Sequence, residues 1–134
     1  QARLPHGGLH ARHCIGDADV IEAARAADTT RAVQAMRKAH RLGLLDGAIV
    51  AIGNAPTALI ELVRLIRTEG VRPALVLAMP VGFVAAAESK ALMMEVHEVP
   101  WIAIRGRKGG STLVVAALHA LLSLAEAEEK AADA

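Results

Sequence analysis

At 134 residues, 54% of them hydrophobic and 22% charged, the chain has the composition of one packed domain and not of a disordered tail. A formal net charge of +1 supplies no field for nucleic acid or a membrane surface. Phe83 and Trp101, the only aromatics, leave no stacking platform for single-stranded bases.

Cys14 is the only cysteine, so no intrachain disulfide can form and a reducing, cytoplasmic compartment is expected. No apolar run reaches the roughly 18 residues that a membrane span needs. The polar, His-rich opening, residues 1–13, has no signal-peptide pattern. Opening on Gln1 and not on Met is what a processed or trimmed chain would show.

Residues 9–15 (Leu-His-Ala-Arg-His-Cys-Ile) read as a short strand. Asp17 is placed to cap a helix through residue 26, and Thr29 or Thr30 a second through residue 40. Val33, Met36 and Ala39 share one face of that second helix, which leaves Arg31, Arg37, Lys38 and Arg41 as solvated basic residues. Residues 48–52 (Ala-Ile-Val-Ala-Ile) have the pattern of a strand buried on both faces. Asn54 follows as N-cap, Pro56 sits where a helix tolerates a missing N–H, and a helix over 57–69 stops at Gly70.

A second strand, 74–79, opens into Pro80-Val81-Gly82-Phe83-Val84 and a helix over 86–98. Pro100 separates that helix from a third strand, 101–105. Gly106-Arg107-Lys108-Gly109-Gly110-Ser111 then leads into a last helix, 112–126, and the tail from 125 to 134 is expected to fray. The alternation predicts an α/β fold: a three-layer, mainly parallel, Rossmann-like sheet flanked by helices, in a single domain over 1–134.

Open parallel sheets bind ligands beyond the carboxyl ends of their strands. Three successive strands here end in glycine-bearing turns: Gly53-Asn54, Pro80-Val81-Gly82, and Gly106 through Gly110. Glycine lets backbone approach a ligand, and each following helix offers free N–H groups and the positive end of its dipole. Lys90, Arg105, Arg107 and Lys108 add charge near these turns, so the pattern favours a ligand with several carboxylates or phosphates. Turns alone would require a glycine at any one position; three in register favour a site.

No nucleotide motif fits. Lys108 precedes its glycines, whereas a Walker-type loop places Lys after them, and neither the spaced dinucleotide glycines nor Gly-x-Ser-x-Gly is present. His6, His10 and His13 beside Cys14 match no standard metal spacing, and surface or strand histidines account for them better than a metal site does. His40, His97 and His119 fall on expected helices, in solvated or half-buried roles. Glu88-Ser89-Lys90 at a helix start serves either ordinary capping or presentation of Ser and Lys to a ligand.

Together, Gly53-Asn54-Ala55-Pro56-Thr57-Ala58-Leu59, Pro80-Val81-Gly82-Phe83-Val84-Ala85-Ala86-Ala87-Glu88-Ser89-Lys90 and Arg105-Gly106-Arg107-Lys108-Gly109-Gly110-Ser111 resemble the signature of the precorrin-8X (cobalt-precorrin-8) methylmutase family. Thr29-Thr30-Arg31 is similar to that family's Thr-Thr-Arg segment, and the resemblance runs over residues 4–124. It implies an isomerase of cobalamin biosynthesis that moves a methyl group from C-11 to C-12 of a corrinoid, with or without cobalt in the ring. It also implies no separate cofactor and no protein-bound metal, and a homodimer whose subunits both touch the ligand. On these motifs the substrate-binding residues are Arg31, Asn54, Thr57, Gly82, Glu88, Ser89, Lys90, Lys108, Gly109, Gly110 and Ser111, which would grip the acetate and propionate arms. The family's acid/base histidine lies in an N-terminal third that none of the six histidines here matches. The chain is therefore expected to correspond to the C-terminal two-thirds of the family domain, with no catalytic residue assigned. The alternatives are a non-catalytic tetrapyrrole- or anion-binding α/β domain, and a phosphate-ligand domain using the Gly109-Gly110 helix start.

Overall fold

A computed structural model describes residues 2–3, 10–11, 17–82, 85–104 and 108–132. In them the strand–helix alternation becomes a three-stranded parallel sheet with five helices. Strands β1 (Ala2–Arg3) and β2 (His10–Ala11) form a separate antiparallel pair. The expected strand over 9–15 is met there at residues 10 and 11, its other positions lying outside the described residues. The main sheet has the order β3 (Ile49–Ile52), β4 (Leu75–Ala78), β5 (Trp101–Ala103). Helix α3 (Pro56–Thr68) connects β3 to β4, and α4 (Ala86–Met94) connects β4 to β5, since parallel neighbours need a long crossover. Helices α1 (Ala18–Ala26) and α2 (Arg31–Arg41) precede the sheet, and α5 (Ser111–Ala132) follows it.

Val50 pairs with Val76, and Val76 with Trp101. Side chains alternate along strands, so Val50, Ile52, Val76, Ala78, Trp101 and Ala103 share one face. That face packs with Leu59, Leu62, Val63 and Ile66 of α3, Met93 of α4 and Met36 of α2. α3 is buried around most of its circumference, and Ile60, Arg64 and Arg67 form its exposed stripe. Leu59 and Leu62 are 0% exposed, and each such side chain contributes roughly 1.5–3 kcal/mol.

Several local expectations change. β3 is an edge strand and is not buried on both faces: Ile49 and Ala51 are exposed, as is Ile102 on the same face of β5. The central β4 is the covered strand, with Val76, Leu77 and Ala78 all at 0% exposure. Ala55, not Asn54, holds the N-cap position of α3, with φ −99° and ψ 104°. Steric conflict with the Pro56 ring keeps the preceding residue extended, so the helix starts at the proline itself. α4 ends at Met94, short of residue 98. Val96 and Val99 are buried in the turn that follows, Trp101 Nε1 donates to the Val96 carbonyl (3.0 Å), and Pro100 disfavours helix at Val99.

α5 continues to Ala132, past the expected end at 126. Its stretch Ser111–Glu128 is long and apolar enough to cross a membrane by length and composition alone, contrary to the expectation that no such stretch exists. Ser, Thr and His interrupt the apolar run without lowering its average enough. Leu113, Val115 and Leu124 of this helix are exposed.

Lys38 and Arg37 of α2 are paired where solvation was expected, while Arg31 and Arg41 are exposed as expected. Lys38 Nζ donates to Asp17 (2.9 Å) and Asp19 (2.8 Å), and Arg37 Nε donates to Glu61 (3.0 Å). Asp17 does occupy the N-cap position of α1, but its side chain makes no cap bond; the charge-assisted contact with Lys38 takes the carboxylate instead. Thr30 is the cap of α2, its Oγ1 accepting from Val33 N (3.2 Å), while Thr29 Oγ1 accepts from the buried Gln34 (2.7 Å).

Candidate functional site

The turns that leave the parallel strands meet. Gly53, just past β3, faces the first residue of α5: a Cβ on it would lie 2.7 Å from Ser111 Cα. Gly109 lies against the end of β4, where a Cβ would overlap the carbonyl oxygens of Met79 and Pro80. Met79 N donates to the Ile52 carbonyl and Gly110 N to the Met79 carbonyl, each at 2.9 Å. At Gly53 and Gly109, the missing side chain is therefore needed for turn to approach turn, where sequence reasoning assigned it to approach of a ligand. α3, α4 and α5 all begin at this edge and direct their first-turn N–H groups and positive dipole ends toward it.

The start of α2 joins the same edge. Thr30 Oγ1 and Thr57 Oγ1 are 3.3 Å apart, which brings the Thr29-Thr30-Arg31 segment beside the first turn of α3. Next to it lies a cleft of about 520 Å³ lined by Ile21, Ala24, Arg25, Thr29 and Arg31. None of its lining residues belongs to the three turns. Arg25 is the lining cation that sequence reasoning missed. It reaches the cleft because the chain reverses at Asp28 (φ +52°), with Thr29 N donating to the Ala24 carbonyl, and no local motif announces that turn.

The expected site residues divide by exposure. Arg31, Asn54, Glu88, Lys108 and Ser111 are exposed, and Thr57, Gly82, Gly109 and Gly110 are half-buried. Ser89 and Lys90 face inward. Ser89 Oγ donates to the Ala86 carbonyl (2.9 Å), and Lys90, 1% exposed, donates from Nζ to the Lys108 carbonyl. Burial pushes the Lys90 ammonium below its usual pKa of 10.5. Ala85 is the N-cap of α4, so neither capping nor presentation to a ligand describes Ser89 and Lys90. Phe83, Arg105, Arg107, His6, His13 and Cys14 lie outside the described residues, among which no group of three His, Cys, Asp or Glu is placed to hold a metal.

His40, His97 and His119 stand away from the turns. His40 is ten residues along α2 from Thr30, roughly 15 Å at the helical rise. His97 follows the far end of α4, and His119 lies two turns into α5.

A parallel sheet whose turns and following helix starts gather at its carboxyl edge is an α/β domain, and that edge is where such sheets bind small molecules. The precorrin-8X methylmutase family model matches residues 1–124. A cobalt-precorrin-8 methylmutase of Priestia megaterium is 53% identical over 121 residues, covering 90% of this chain and 52% of the relative. A precorrin-8X methylmutase of Pseudomonas aeruginosa is 43% identical over 108 residues, covering 80% of this chain and 51% of the relative. The crystal structure of a precorrin-8x methyl mutase from Thermus thermophilus superposes with a TM-score of 0.74 at 60% identity, covering 83% of this chain and 52% of that one. This chain belongs to the precorrin-8X methylmutase family, and it spans about half the length of these relatives.

Proposed function

We propose that this chain forms the substrate-holding part of an isomerase of cobalamin biosynthesis. The reaction moves a methyl group from C-11 to C-12 of precorrin-8X, giving hydrogenobyrinate, or cobyrinate where the ring carries cobalt. The observation that carries this reading is the meeting of the three turns in a chain whose relatives are named for that reaction. A corrin ring bears several carboxylate arms. Arg31, with Arg25 across the cleft, and Lys108 supply cations for them, while Ser111 and the first-turn amides of α5 supply neutral donors. Asn54, Thr57, Gly82 and Glu88 border the same edge.

A methyl shift within one molecule needs a ring held in one geometry and a proton delivered to it. The cations and amides do the holding and need no additional cofactor. His40, His97 and His119 are distant from the turns, so none of the three is assigned as proton donor. Assembly as a homodimer is supported by the apolar residues left uncovered on the sheet and α5, Ile49, Ile102, Leu113 and Val115.

Spectrophotometric titration with hydrogenobyrinic acid tests the reading. A saturable shift of the corrin bands is expected, with affinity reduced about tenfold or more in Lys108→Ala/Ser111→Ala. No spectral change with the native chain would end the proposal. The absence of a histidine among the described site residues favours a second reading, binding without isomerisation. Assay of the native chain with precorrin-8X separates the two: product formation excludes the second.

A further inference from the structure

Lys90 is among the largest fully buried side chains, yet it ends in an ammonium. Its hydrocarbon stem passes through the interior from α4, and Nζ meets the backbone carbonyl of Lys108, eighteen residues along the chain. The desolvation that lowers its pKa opposes keeping a charge there. A charge-assisted bond to a carbonyl, about twice the strength of a neutral one, offsets that cost. The Lys108 side chain is exposed, so the same residue is fastened at its carbonyl and open to solvent at its own ammonium.

We infer that Lys90 is a positioning residue that latches the 108–111 turn from beneath and sets which way its amides face. A trans peptide holds the C=O of Lys108 and the N–H of Gly109 on opposite sides of one plane. Drawing that carbonyl toward α4 therefore turns the Gly109 N–H away from α4. Among the described residues no backbone carbonyl accepts from Gly109 N. The bond from Gly110 N to Met79 O is the second anchor, and Gly109 lies wedged against Met79 and Pro80 between the two. Lys90 thus presents a backbone donor without touching the ligand. The latch rests on geometry alone, and its effect on affinity rests on the corrinoid reading.

The test compares the native chain with Lys90→Met, which keeps the length of the stem and removes the donor. In the ligand-free protein, amide hydrogen exchange over 108–114 should accelerate about tenfold or more, while exchange over 58–66 of α3 stays unchanged. Hydrogenobyrinic acid should bind about tenfold more weakly, with the same absorption spectrum at saturation. Unchanged exchange over 108–114 overturns the latch. So does a changed saturating spectrum with unchanged exchange, which would mean direct contact with the ring. If the native chain produces no spectral change at all, the corrinoid reading fails and the exchange comparison still decides the latch. Should Lys90→Met not fold, Lys90→Leu, also apolar and without a donor, gives the same comparison.

Discussion

Glu61 is 5% exposed and accepts from Arg37 of α2 and Arg64 of its own helix, with Arg64 Nη2 at 2.5 Å. Burial pushes its carboxyl pKa up, but the bonds and charges of the two arginines outweigh that, leaving it below the ordinary 4.5. A carboxyl whose pKa is depressed by folding contributes stability that is present above 4.5 and lost as pH falls through the folded value. Both arginines are partly exposed, so the contribution is modest. Glu61→Gln should cost about 1–2 kcal/mol at neutral pH. It should also remove that part of the loss of stability on acidification, as read by urea unfolding from pH 7 to pH 3. An unchanged acid slope would show that the pair does not couple α2 to α3.

The start of α4 holds a cost of its own. Ala85, its N-cap, sits in the left-handed region at φ +64°. A side chain there costs roughly 1–2 kcal/mol, part of which a glycine returns through the greater freedom of its unfolded chain. Ala85→Gly should therefore raise stability by about 0.5–1 kcal/mol in thermal or urea unfolding; a loss of stability would show that the Ala85 methyl packs favourably. The existence and type of the elements from residue 17 onward were legible in the sequence, because helix and strand periods and the Gly and Pro breaks agree there. What was not legible depends on neighbours. The apolar run in β3 does not reveal that its strand lies at an edge. Nor does the helical composition over residues 95–98 show that Val96 and Val99 are needed in the core as a turn.

At the level of the molecule, the three glycine-bearing turns were identifiable from sequence because parallel topology sends every such turn to one edge. Their meeting place was correct, and the reason for two of the glycines was not. Gly53 and Gly109 serve backbone-to-backbone packing that only the assembled sheet creates. The inward turn of Lys90 was equally hidden, since helix phase near an unassigned cap is not fixed by composition. Arg25 entered the cleft through the fold of the α1–α2 corner. The central claim is that these turns act together as one seat for an acid-bearing ring. Amide hydrogen exchange of the native chain, with and without saturating hydrogenobyrinic acid, tests it most directly. Protection over 53–57, 79–82 and 108–114 at once is expected. Protection confined to the open face at 49–51 and 102, or none at any of the three turns, would contradict it.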